Sequence, residues 1–215
     1  MNRANLVVAV LLAAGCSSAG GTAGLGGSTP SGQPSSPGPA TSSPAIPAGG
    51  GGATAVAIEK NPPGDIPDNV AFVPYRNAAG RYTFTHPEGW SEATKGSAVA
   101  FTEKLNGVEV MTGSATTAPT VDGVKQRDVP ALARSHAAFE LRGVTAVTVP
   151  AGAGVRIVYR RNSTPDAVTG RQYRDEVDRY ELVSAGREIV IELFGPVGSD
   201  NVDAYRTMVQ SLRLL

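Results

Sequence analysis

Between residues 17 and 57 the chain carries no Asp, Glu, Lys or Arg. The stretch is Gly, Ser, Pro, Ala and Thr with scattered Leu, Ile, Val and one Gln. It offers too little apolar surface to offset the entropy of ordering it, so it predicts a disordered tether rather than part of a core. Runs such as Gly49-Gly50-Gly51-Gly52 are flexible, whereas Ser36-Pro37-Gly38-Pro39 is stiffer. As a coil the tether has a reach of about 35 Å. The foldable part is therefore residues 58–215, about 160 residues, enough for one domain with a true core.

What precedes the tether reads as an export signal. Arg3 supplies a positive start, an apolar run covers residues 6–14, and Gly15-Cys16 follows. The apolar run is about half the ~20 residues a membrane-spanning helix needs, so residues 1–15 are expected to be a cleaved signal peptide. Leu12-Ala13-Ala14-Gly15-Cys16 resembles the bacterial lipobox. That resemblance implies cleavage between Gly15 and Cys16 and a diacylglyceryl group, with palmitate-type chains, on the Cys16 sulfur. Secretory cleavage at Ala-x-Ala is the alternative. The chain has one Cys, and it stands where acylation requires it. Two acyl chains stabilise membrane attachment by roughly 20 kcal/mol, so the expected location is the extracytoplasmic face of the cell membrane, with residues 16–57 as lipidated linker.

Beyond residue 58 the patterns are mostly those of strands. Residues 69–75 predict a first strand, closed by Asn77-Ala78-Ala79-Gly80. Arg81-Tyr82-Thr83-Phe84-Thr85 alternates large apolar with polar residues, as a half-buried strand does. His86-Pro87-Glu88-Gly89 predicts a turn. Residues 98–101 and 108–112 predict a hairpin turning at Asn106-Gly107. Residues 144–149, 155–160, 176–183 and 188–194 follow, the last two joined tightly at Ala185-Gly186. A helix is expected over residues 128–139, capped by Asp128 with Pro130 in its first turn and with Leu132, His136 and Phe139 on one face. A second is expected over residues 201–212, capped by Ser199 or Asp200, with Val202, Tyr205, Val209 and Leu212 against the sheet. Antiparallel strands with helices packed on them make an α+β fold.

Several of these stretches resemble the PsbP-type fold shared by photosynthetic PsbP proteins, Ran-binding Mog proteins and mycobacterial LpqN-type lipoproteins. They are Tyr82-Thr83-Phe84-Thr85-His86-Pro87-Glu88-Gly89-Trp90, the central hairpins and Met208-Val209-Gln210-Ser211-Leu212-Arg213. The layout also looks like lipoproteins of actinobacteria. The resemblance implies a central antiparallel sheet with helices on both faces, an αβα sandwich, and an accessory or binding role.

The chemistry the residues permit agrees with a binding role. Lys plus Arg equals Asp plus Glu at 19 each, so there is no excess basic charge for nucleic acid. The two histidines, His86 and His136, stand far apart, and no nucleophile motif or phosphate-cradling Gly loop occurs. No catalytic residue, metal or cofactor is expected, and the domain is read as non-enzymatic. Asp175-Glu176-x-Asp178, flanked by Arg171, Arg174 and Arg179, predicts a solvated mixed-charge edge. Arg156 and Arg160 fall on one strand face and Arg161 on the other. Arg156, Arg160 and Trp90 are the candidate partner-binding residues, Trp90 also being expected to plug the core. The expected function is a membrane-anchored accessory domain acting on an envelope protein, glycan or lipid. The alternative is a carrier or hydrolase for a small lipid or glycan, with a pocket between sheet and helix.

Overall fold

The computed structural model describes residues 52–215, so the expected leader, Cys16 and most of the tether lie outside the described residues. Among the described residues, Thr54 and Val56 tie the chain to the domain. The Val56 amide donates to Asn162 Oδ1 and the Asn162 amide donates to the Thr54 carbonyl, at 3.0 and 2.9 Å.

Two sheets form rather than one. Strands β1 (Phe72–Asn77) and β2 (Tyr82–Pro87) make a hairpin, which a short C-terminal strand, β10 (Arg213–Leu214), extends beside β2. The larger sheet has seven antiparallel strands in the order β3-β4-β5-β9-β8-β7-β6. These are β3 (Ser91–Lys95), β4 (Ala98–Glu103), β5 (Asn106–Ser114), β6 (Glu140–Val149), β7 (Gly152–Asn162), β8 (Arg174–Ser184) and β9 (Arg187–Pro196). The expected single sheet fails at Gly89. Its φ of +84° turns the chain out of the first hairpin, and Trp90, 9% exposed, anchors the crossing in the core. The hairpin thus packs over the large sheet instead of joining it.

Strand alternation gives the seven-stranded sheet two different faces. On one face Val99, Val108, Val110, Leu182, Ile189, Ile191 and Leu193 meet Tyr82 and Phe84 of the small sheet. Met208, Val209 and Leu212, at the end of α2 (Val202–Ser211), join the same cluster. Each fully buried side chain of this kind contributes about 1.5–3 kcal/mol. On the other face α1 (Val121–Ser135) sets Val124 and Leu132 against Val155, Ile157, Tyr159 and Val177. The two helices therefore lie on opposite faces.

Three local expectations are corrected. Helix α1 begins seven residues before Asp128 is reached, because Thr120 caps it by accepting from the Gly123 amide, Asp122 favours the first turn and Val124 is fully buried. Pro130 consequently sits inside the helix, and His136 is its C-cap rather than a helical residue. The β4–β5 link turns at Lys104-Leu105, leaving Asn106 and Gly107 inside β5. Gly107 is there for packing, since a Cβ at that position would collide with the Phe194 ring. Finally, β8 is an interior strand between β7 and β9, so the acidic run 175–178 is not a solvated edge.

Candidate functional site

The chain leading into the domain is pinned by a knot of amides at the end of the large sheet. Asn201, buried at the N-cap of α2, accepts from the Ile66 amide at 2.8 Å and donates to the Gly64 carbonyl at 3.2 Å. It also donates to Asn106 Oδ1 at 3.0 Å, and Asn106 donates to Gly64 at 2.7 Å. Asp65 accepts from the Asp200 amide. These bonds fix where α2 starts; Val202 in its first turn is 63% exposed rather than packed, while Ala204 and Tyr205 pack against the core.

Between α2 and the β6–β9 half of the sheet lies a concavity of about 490 Å³. Val147, Val149 and Val209 give it apolar walls; Arg156, Asp178 and Tyr180 give it a polar floor. The register sets Arg156 opposite Tyr180, with Asp178 one step along the same face. Arg156 donates to both Asp178 oxygens, at 2.8 and 2.7 Å, with its guanidinium 5.9 Å from the Tyr180 ring centre. Burial raises the Asp178 carboxyl above the usual carboxylate range, and Arg156 opposes that rise.

Three buried polar atoms around this concavity have no hydrogen-bond partner among the described residues: Arg156 Nε, Ser199 Oγ and the Tyr205 hydroxyl. Buried polar groups are almost always paired, and an unpaired one costs about 1–3 kcal/mol. The Tyr205 hydroxyl lies beside Asn201 without a bond of good geometry, and burial pushes its ionisation well up, so it stays a neutral donor. Arg156, Ser199 and Tyr205 all belong to the lining of this concavity, and a concave, half-apolar surface with polar groups is the usual form of a binding site.

The candidates from sequence are divided by the structure. Arg156 lines the concavity. Arg160 lies further along the same strand face and donates to Glu176 at 2.9 Å. Trp90 sits in the core and is not among the lining residues. Arg161 points to the opposite face, toward Glu192 at 2.9 Å. Neither histidine lines the concavity: His86 stacks on Phe101 at 3.7 Å between ring centres, and His136 stacks on Tyr159 at 5.4 Å. Among the described residues no group of three His, Cys, Asp or Glu is placed to hold a metal ion. Sequence put none of Tyr205, Ser199, Asp178 and Tyr180 at a site: it read Ser199 as a helix cap, Tyr205 as facing the sheet and Asp178 as part of the acidic edge. Tyr205 shares the helical spacing of the core residues, and only its hydroxyl sets it apart.

No family model matches the chain, and no curated protein matches it. Solved structures similar to it include cyanobacterial PsbP from Synechocystis sp. PCC 6803, with a TM-score of 0.48 and 17% identity over 72% of this chain and 100% of that one. The Ran-binding protein Mog1p of Saccharomyces cerevisiae gives 0.45 and 9%, over 68% and 96%. LpqN of Mycobacterium tuberculosis, involved in cell envelope biogenesis, gives 0.39 and 10%, over 68% and 92%. At these values the residues themselves carry the functional reading.

Proposed function

We propose that this chain is an acylated extracytoplasmic lipoprotein whose domain, a PsbP/LpqN-type sandwich, is a non-catalytic module that holds a cell-envelope partner in the concavity under α2. The leader and lipobox-like segment around Cys16 support the anchor, and the charge-free stretch after it supports the tether. The observation that carries the binding role is a half-apolar concavity lined by Arg156, Ser199 and Tyr205, each with a side-chain polar atom that has no partner among the described residues. A second reading, carriage of a small glycan or lipid, is favoured by the cavity's volume, which falls within the range of about 300–1,000 Å³ typical of small-ligand sites.

Two measurements test this. Cys16→Ser is expected to shift the protein from the membrane fraction to the medium; unchanged sedimentation with the envelope removes the anchor. A photoreactive residue in place of Val202, at the rim, is expected to give an envelope adduct in intact cells that is lost with Tyr205→Phe or Arg156→Gln. Adducts indifferent to both substitutions remove the concavity as the binding site. An adduct of lipid or glycan mass selects the second reading.

A further inference from the structure

The seven-stranded sheet ends in two unlike edges. Strand β3 is five residues long, wholly exposed, and carries Glu92 and Lys95. Charged side chains on a short edge discourage pairing with another chain. Strand β6 is twice as long and pairs only with β7. From residue 143 to 149 it reads Gly-Val-Thr-Ala-Val-Thr-Val, without a charge, and Thr145, Ala146 and Thr148 are exposed. The outward amides and carbonyls of this run have no backbone partner among the described residues.

Both ends of the run stop a ladder. At its start the register against β7 shifts between Leu141 and Gly143, and Arg142 is turned aside to pair with Glu140 at 2.8 Å. An irregularity of this kind bends a strand and ends its pairing. At its far end Pro150 follows Val149 and has no amide to give. The usable edge is therefore the seven residues 143–149. The same run of a second copy, laid antiparallel, fits both limits at once. The shifted end of each strand then meets the proline end of the other, and no charge is carried into the ladder. Because β3 is blunted, each chain has one open edge to offer, so pairing closes after two copies and does not propagate.

We propose that two copies of this chain pair through β6 about a twofold axis at Ala146. Gly143 then lies opposite Val149 of the second copy, Val144 opposite Thr148 and Thr145 opposite Val147. The last two are β-branched cross-strand pairs, which stabilise a sheet. Thr145 pairs with Arg156 within the chain and Val147 with Gly154, so both share the face of Arg156. Val147 and Val149 form the wall of the concavity on the β6 side. On the reading of the concavity as the binding site, the second copy adds its Thr145 and Gly143 beyond that wall, and the two concavities become one groove across the axis. A single strand pairing is small beside the roughly 1,200–2,000 Å² of a standard interface. The pair is therefore expected to be weak for the free chain and to form where the anchor confines both copies to one membrane.

The test uses the full-length chain in its own membranes. Opposed residues of an antiparallel pair have Cα atoms about 4.5–5.5 Å apart, within reach of a disulfide. Ala146→Cys is therefore expected to give a dimer of the chain on non-reducing gels after oxidation with copper phenanthroline. Thr148→Cys is also exposed but lies four residues along the strand from its counterpart, and should give no dimer beyond that of the wild type, whose one thiol is Cys16. A second readout needs no thiol. Two differently tagged copies are expected to co-purify. Ala146→Lys in both, or Ala146→Glu in both, sets like charges against each other on the axis and should abolish co-purification. Ala146→Lys in one copy with Ala146→Glu in the other should restore it. No cross-link at 146, equal cross-links at 146 and 148, a disulfide to a different protein, or co-purification indifferent to the charges overturns the proposal. Both readouts report self-pairing alone, so a failure of the concavity as a binding site leaves them unmoved, and Cys16→Ser tests the anchor separately.

Discussion

The two faces of the seven-stranded sheet both bury charged side chains, and they complete them to different degrees. Under the end of α1, Glu192 accepts from Arg161 and Arg179 at 2.9 and 3.0 Å, and Arg179 donates to Glu181 at 2.8 Å. Arg161 lies 3.9 Å from Asp175 and over the Phe194 ring. Glu109 stands directly opposite Glu192 across the β5–β9 ladder. Burial and Glu192 raise the Glu109 carboxyl, and Arg161 and Arg179 offset that like-charge repulsion. On the α2 face the Arg156–Asp178 pair is made, yet Arg156 Nε, Ser199 Oγ and the Tyr205 hydroxyl are left over. The difference is between a network saturated within the fold and one that, on the proposed reading, holds donors in reserve for a partner.

The largest effect should come from breaking the saturated side. Burial alone would raise the Glu192 carboxyl, but Arg161 and Arg179 hold it down at about 2. Glu192→Gln leaves two buried guanidiniums without their shared counter-charge. It is expected to cost about 3–5 kcal/mol in urea unfolding. A loss below about 1 kcal/mol would mean the network is decoration, and the contrast between the faces would collapse.

The same network makes a pH prediction in which two groups oppose each other. Burial, and then Arg161, hold His136 down at about 4. Its neutral form is the one that suits the fold, so its contribution is full above about 6.5 and is lost as pH falls toward 4. Burial pushes Asp175 up to about 6, against Arg161 and Arg174. Its contribution runs the other way: present below about 4 and lost as pH rises through 6. Between pH 6.5 and 4 the two trends offset, and stability should be nearly flat, falling only below about 4 as Glu192 is protonated. Asp175→Asn removes one arm. Stability should then fall by about 2–3 kcal/mol from pH 6.5 to 4, read from Tm against pH. An unchanged profile would show that the two groups do not offset.

These networks also show what the sequence made legible. Tyr82 and Phe84 announce a half-buried strand by spacing alone, and Ala185 and Gly186, both at positive φ, make the expected tight turn. Arg156 and Arg160 are placed on one face by alternation. What sequence did not reveal depends on contacts between residues far apart in the chain. Asn106-Gly107 reads as a turn because its real reason, the Phe194 ring, lies in another strand. The start of α1 was hidden because Pro130 suggests a first turn, while Thr120 and Val124 outweigh it only once the helix has a sheet to bury against. Asp178 and Glu176 become the partners of Arg156 and Arg160 only through the β7–β8 register, which the long connection between those strands does not fix. Tyr205 looked like a core residue because a helical period does not say what faces the hydroxyl.

A smaller effect is expected on the α2 face. Arg156→Gln removes a two-bond charge pair, but the Arg156 side chain is 39% exposed, so solvent already screens it. About 1 kcal/mol is the expected loss of stability, less than a third of that for Glu192→Gln. Asp178→Asn should cost no more. If either matched Glu192→Gln, the Arg156–Asp178 pair would belong with the structural network.

Tyr205→Phe should have the smallest effect on folding and decides most about the comparison. In a saturated site, deleting a buried hydroxyl removes a hydrogen bond and costs about 1 kcal/mol. Here the hydroxyl has no partner among the described residues, and deleting it also removes the penalty of burying an unpaired group. Stability should be unchanged within about 0.5 kcal/mol or slightly higher, while adducts from the photoreactive residue at position 202 disappear. A clear loss of stability would show that the hydroxyl is already bonded in solution, and the concavity would then hold nothing in reserve. Unchanged stability with binding lost separates the two faces by purpose, since the hydroxyl would then act on the bound molecule and not on the fold.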